Sequence, residues 1–123
     1  LLMCLITFGC EDSKDTSPPS VSIISPTESS FVSEITLIQS LATDDDSVRI
    51  VELWIDSLET GISDSSMPYE FYWNTVLLPD STEHSLMVRA EDMSNNISFS
   101  PSIKVMVDNT GSNPKSLNKL DIS

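Results

Sequence analysis

A chain of 123 residues has room for one ordinary domain, and its 19 acidic against 6 basic residues give a formal net charge of −13. Such a surface repels phosphate backbones and anionic headgroups, which argues against nucleic acid as a partner, and it attracts cations. Cys4 and Cys10 both lie in the first ten residues and His84 is the one histidine, so no disulfide staples the body and no Cys/His metal cluster can form.

Residues 1–9 (LLMCLITFG) are uncharged and apolar. They are too short to span a bilayer as a helix and have the length of a secretory signal's hydrophobic region. They end in Gly9-Cys10, and Glu11-Asp12 then opens a polar stretch. A small residue before a cysteine, directly after an apolar run, resembles the bacterial lipobox. That resemblance implies cleavage before Cys10 and a diacylglycerol on its thiol. Thr7 stands where the motif usually carries leucine, and Phe8 where a small residue is usual. The chain opens on Leu1 without a positive segment, so we expect a truncated signal peptide. Cys10 and residues 11–19 (EDSKDTSPP) form a polar tether whose composition cannot build a core.

From residue 20 to residue 109 the pattern is short β-like runs broken by turn residues, with no helical period. Strands are expected over residues 21–24, 35–43, 48–55, 57–62, 69–73, 85–90 and 97–107, the last interrupted by Pro101. Seven short strands with frequent turns read as an all-β sandwich. Alternation turns Val51, Leu53 and Ile55 inward, and likewise Phe71 with Trp73, Leu86 with Val88 and Ala90, and Ile103 with Val105 and Val107. The second strand admits two registers one residue apart. Apolar content favours Ile35, Leu37 and Leu41 inward, whereas the order of motifs along the chain favours Ile38, Ser40 and Ala42, which we prefer.

The order of motifs resembles the bacterial Ig-like domains found on secreted and surface proteins. The residues that carry it are PPSVSI at 18–23, Ser25-Pro26, Ala42-Thr43 leading into Asp44-Asp45, and VRIVELWID at 48–56. PYEFYWNT at 68–75 and HSLMVRAED at 84–92 complete the series, with Ser57 and Asn95 where glycine is usual. The resemblance implies an immunoglobulin-like antiparallel β-sandwich of about seven strands over residues 20–109, a spacer or adhesion module without catalysis. Residues 110–123 (TGSNPKSLNKLDIS) read as a disordered linker or the start of a following domain.

In an Ig topology the loops after the second and sixth strands share one end, which gathers Asp44, Asp45, Asp46, Glu91, Asp92, Asn95 and Asn96. Converging oxygens of this kind suit calcium, and Asp44, Asp45, Asp46, Asp92 and Asn95 are the candidate ligands. The same residue types also make turns through their own side chains, and that is the more economical expectation. Trp54, Tyr72 and Met87 point away from the core and offer a face for a glycan or protein ligand, unless neighbouring elements cover them. His84 lies near Asp80 and Glu83, but no nucleophile elbow or metal motif accompanies it, so a structural role is expected. Asn96-Ile97-Ser98 fits a glycosylation acceptor by chance.

The function these observations favour is a non-catalytic structural or adhesion module, lipid-anchored at the outer membrane or cell surface. It would be joined to following domains of the same polypeptide and would meet protein or glycan partners. The alternative is an accessory carbohydrate-binding domain of a larger exported polysaccharide-degrading enzyme. No cofactor is implied other than the candidate calcium.

Overall fold

The computed structural model describes residues 15–110; the signal segment, Cys10 and residues 111–123 lie outside the described residues. The described chain forms nine strands and no helix. They are β1 (Ser20–Ser25), β2 (Ser30–Val32), β3 (Ile35–Thr43), β4 (Val48–Ile55), β5 (Leu58–Asp64), β6 (Tyr69–Asn74), β7 (Thr82–Asp92), β8 (Ile97–Phe99) and β9 (Ile103–Val107). Strands β1, β3 and β6 make a small sheet in that order. The larger sheet runs β2-β9-β7-β4-β5, with β8 also paired to β7. Every pairing is antiparallel except the parallel one between β2 and β9.

Two prolines explain where the strand count departs from seven. Pro26 has no N–H to give a neighbouring strand, so β1 stops at Ser25 and the chain leaves the small sheet. Ser29 turns in the left-handed region (φ 66°) and donates to Lys104 O at 2.7 Å, which lays Ser30–Val32 along β9. Pro101 splits the expected last strand: β8 pairs with Arg89–Glu91, and β9 pairs with the other half of β7, from Thr82 to Leu86. Between the halves Ser100 stands in for the ladder. Its N–H donates to Val88 O at 2.8 Å, and its hydroxyl accepts from Val88 N at 3.0 Å.

The core lies between the sheets. From the small sheet come Ile38, Ala42, Tyr69, Phe71 and Trp73; from the large one Val51, Leu53, Leu86, Val88, Ala90, Val105 and Val107. The inward residues of β3 are thus Ile38, Ser40 and Ala42, while Ile35 and Leu41 are exposed. The register drawn from the family resemblance is the one the chain adopts. A polar residue fits there because the Ser40 hydroxyl donates to Tyr69 O at 3.1 Å. Ile55 and Ile103, expected inside, sit half-buried at the margin. Burying a side chain such as Phe71 stabilises the fold by roughly 1.5–3 kcal/mol.

Strand β5 forms one edge of the large sheet and is exposed along almost all of its length. Its pairing with β4 slips between Glu52 and Trp54. At the slip the Thr60 hydroxyl donates to Leu53 O at 2.8 Å and accepts from Ile62 N at 3.0 Å. Gly61 follows with φ +84°, a backbone angle that a residue with a Cβ adopts only under strain.

Candidate cation site at the N-terminal pole

The ends of β3 and β7 and the start of β4 meet at one pole of the sandwich, as the Ig topology implies. The segment leading into β1 reaches the same pole. There the Asn96 side-chain amide donates to Asp15 O at 3.0 Å, and the Ser98 hydroxyl donates to Pro19 O. The result is a group of three carboxylates, Asp15, Asp44 and Asp92, with one oxygen of each within 4.8 Å of the others. Asp15 comes from the incoming segment, Asp44 from the loop after β3, and Asp92 from the last position of β7.

Asp92 is fully buried and organises the loop beyond it. Its Oδ1 accepts from the backbone N–H of Ser94 and of Asn96, both at 2.8 Å, and its Oδ2 accepts from Asn96 Nδ2 at 2.9 Å. Burial pushes its carboxyl up, but the Asn96 donors, the side-chain hydrogen bond with Asp15 and the Ser94 amide outweigh that and hold it below the ordinary aspartate range. Asp15 is pushed the other way, up to about 6. The Ser17 amide bond lowers it, yet burial, the facing Asp92 carboxylate and the charges of Asp44 and Asp45 together raise it further. Asp15 Oδ1 accepts from Ser17 N at 2.9 Å, and Asp44 Oδ2 accepts from Asp46 N at 3.0 Å. The other oxygens, Asp15 Oδ2 and Asp44 Oδ1, are closed off from solvent and no backbone or hydroxyl donor reaches them, while Asp15 meets the Asp92 carboxylate side chain to side chain.

Of the five ligand candidates read from sequence, Asp44 and Asp92 belong to this group. Asp45 is exposed and lies outside it. Asp46 Oδ2 accepts from the Ser94 hydroxyl at 3.0 Å, which ties the loops after β3 and β7 together. Asn95 occupies the left-handed region (φ 69°), as asparagine does in turns. The turn-making expected of these residues is therefore present beside the carboxylate group. Asp15 is the member that sequence reasoning missed. Its signal was faint: it is one acid in a polar run, five residues before β1.

The candidate ligand-binding aromatics lie on opposite outer faces. Trp54, on β4, is half-buried beneath Phe99 of β8, with ring centroids 5.1 Å apart and planes at 88°. Tyr72, on β6, is 64 % exposed on the outer face of the small sheet, paired in register with Leu37. Met87 is half-buried and pairs in register with Trp54. His84 Nδ1 lies 2.7 Å from Asp56 Oδ2, its Nε2 lies 3.0 Å from the Thr82 hydroxyl, and its ring meets Trp73 edge-on at 5.7 Å. Asp80 instead accepts from Asn109 N, and Glu83 is exposed, so the acids near His84 in sequence do not join it. Asn96 spends its side-chain amide on Asp15 and Asp92.

A two-sheet all-β sandwich with its loops gathered at two poles defines an immunoglobulin-like or fibronectin III-like domain. More specifically, the chain belongs to the bacterial Ig domain family (Big_7), which matches residues 19–88. Among solved structures it is similar to the fibronectin(III)-like modules of CbhA from Clostridium thermocellum. That likeness has 25 % identity, a TM-score of 0.64, and covers 78 % of this chain and 50 % of that one. It is also similar to part of the endo-beta-1,4-mannanase from Thermotoga petrophila, at 16 % identity and TM-score 0.59, covering 78 % of this chain and 21 % of the mannanase. A third likeness is to the SrpA adhesin from Streptococcus sanguinis, at 15 % identity and TM-score 0.58, covering 83 % and 62 %. The chain thus spans about half the CbhA structure and a fifth of the mannanase. No curated protein matches the chain.

Proposed function

We propose that this chain is a non-catalytic spacer or adhesion module of a bacterial cell-surface protein, held at the membrane by a lipid on Cys10. One observation carries the spacer reading: the chain comes into the sandwich at one pole and leaves at the other. Strand β7 is 11 residues long, which at roughly 3.3 Å per residue is about 35 Å. Asp15 and Pro19 lie beside Asn96 and Ser98, next to the Asp92 end of that strand. Asp108 and Asn109 lie beside Val32 and Asp80, next to the Thr82 end. A domain threaded in this way keeps the segments on its two sides a full domain length apart. The family supports the reading, and the adhesin that shares the fold supports a cell-surface setting. The strongly acidic surface keeps such a module hydrated.

A second reading, an accessory glycan-binding domain of a larger exported enzyme, draws on the exposed Tyr72 ring and on the mannanase that contains this fold. Retention on insoluble β-glucan and β-mannan separates the two. The spacer reading expects the wild type to pass unretained. Retention that Tyr72→Ala abolishes establishes the glycan reading in its place. The anchor is tested apart from both, by feeding cells labelled fatty acid: label is expected on the wild type and absent from Cys10→Ser.

A further inference from the structure

The two sheets of the sandwich turn different faces outward. An antiparallel sheet with one face to water ordinarily alternates apolar inward with polar outward. The large sheet sets charge on its outer side, where Glu52 pairs with Arg89 at 3.1 Å and Arg49 with Glu91 at 2.8 Å. The small sheet does not. In a chain of which 20 % is charged, its three strands hold one charged side chain, Glu70. Glu70 is itself engaged, accepting from the Gln39 amide at 3.1 Å. The rest of the outer side is largely apolar. Ile35 is 62 % exposed, Leu41 49 % and Tyr72 64 %, and Leu37, across from Tyr72, lies between Ile35 and Leu41 on the same side. Ile24, at the slip in β1, is exposed as well. A contiguous apolar face of this kind on a folded domain marks a contact surface.

We propose that a second copy of this chain docks on the outer face of the small sheet, sheet against sheet, about a two-fold axis. Charge selects the occupant. The chain carries a net −13, so two copies repel, and contact through either pole sets aspartates against aspartates. Asp44, Asp45 and Asp92 crowd one pole, and Asp56, Asp80 and Asp108 the other. Across the small sheet two copies meet without opposed charges, because its one acid is tied to Gln39. A two-fold contact uses the same patch twice, so apolar meets apolar, and each Tyr72 ring lies on the row of Ile35, Leu37 and Leu41 of the facing copy. The copies stack by their faces and not by their edges: Glu70 N donates to Asp64 Oδ2 at 3.1 Å, which occupies the free edge of β6. Area sets the strength. Strand β3 has 9 residues at roughly 3.3 Å each, and three strands about 4.8 Å apart give a face of roughly 400 Å². Two such faces bury about 800 Å², short of the roughly 1,200 Å² at which stable complexes begin. The pair is therefore reversible and forms at high concentration.

Pairing goes beyond the choice between spacer and glycan-binding module, and it is measured with no glycan present. Sedimentation equilibrium of the full chain in reductant, from about 10 µM to about 1 mM, tests it. We expect the average mass to rise from one chain toward two and no further, with a Kd of roughly 0.1–1 mM. Tyr72→Glu and Ile35→Glu each weaken the pair at least about tenfold, whereas Phe31→Glu, at a similarly exposed position on the large sheet, changes it no more than about threefold. All three replaced side chains are exposed in the single chain, so the variants keep the fold. Added salt strengthens the pair, because it screens the net repulsion and the contact holds no ion pair for it to weaken. A mass that stays at one chain up to about 1 mM overturns the proposal. Equal weakening by Tyr72→Glu and Phe31→Glu overturns it in favour of general charge repulsion, and association that Tyr72→Glu leaves intact moves the contact elsewhere. Cellohexaose and mannohexaose are expected to leave the pair unchanged; dissociation by either overturns the second copy and assigns the face to a glycan.

Discussion

The two poles of the sandwich use the same residue type to opposite ends. At the C-terminal pole each aspartate meets donors. Asp56 accepts from Ser85 N at 2.9 Å and pairs with His84 at 2.7 Å, Asp80 accepts from Asn109 N, and Asp108 accepts from both the amide and the hydroxyl of Thr110. At the N-terminal pole Asp92 is equally well supplied, but Asp15 is pressed against the Asp92 carboxylate and Asp44 keeps one buried oxygen with nothing to accept. The contrast separates aspartates matched by donors from aspartates crowded against one another. Residue type and loop position are shared, whereas the balance of donors to acceptors differs.

The largest effect is expected at Asp92. Replacing it by alanine strands three donors in a buried loop, so the unfolding midpoint is expected to fall by roughly 10 °C. At the other pole Asp56→Ala is expected to lower the midpoint at neutral pH by only about 3–5 °C, because half of that side chain faces solvent, which screens its pairing with His84. Should the Asp56 variant prove the weaker of the two in thermal melts, the ranking of the poles is reversed.

A smaller effect is a difference in the sign of pH dependence. Burial pushes the Asp56 carboxyl up, but His84 and the Ser85 amide outweigh it and hold the group below its ordinary value. Its stabilisation is therefore present above the unfolded pKa and lost as pH falls through the folded one. Asp15 is raised from 3.8 to about 6, so its contribution runs the other way. Stability from this group is present in acid and lost as pH climbs from about 4 through about 6. Melts of the wild type and Asp15→Asn across that window give the test. The difference between them should grow with pH, with the asparagine variant the more stable at about pH 7. Parallel curves would rule out Asp15 as the source.

Much of the architecture was legible because it depends on alternation. Inward residues at β4, β6 and β7 follow from a period of two, and the ambiguous β3 was resolved by motif order where counting apolar residues pointed the wrong way. Strand β2 escaped notice because Ser30–Val32 is too short to show a period. Phe99 escaped as the cover of Trp54 because its face is set only once Pro101 has divided the last strand. At the acidic pole, Asp44 and Asp92 could be inferred from loop positions within the fold. Asp15 could not, because nothing local shows that the tether returns to Asn96, 81 residues along the chain.

Strand β5 bears on how copies of this domain tolerate one another. It is a long exposed edge, the kind of strand that templates pairing between molecules. The slip opposite Glu52–Trp54, the Thr60 hydroxyl turned back onto Leu53 and the left-handed Gly61 bend its backbone out of the flat register a second strand needs. Glu59 and Asp64 add like charge on both sides of any such contact. Strand-to-strand pairing between two copies of this domain along β5 is therefore disfavoured twice, by a bent backbone and by like charge.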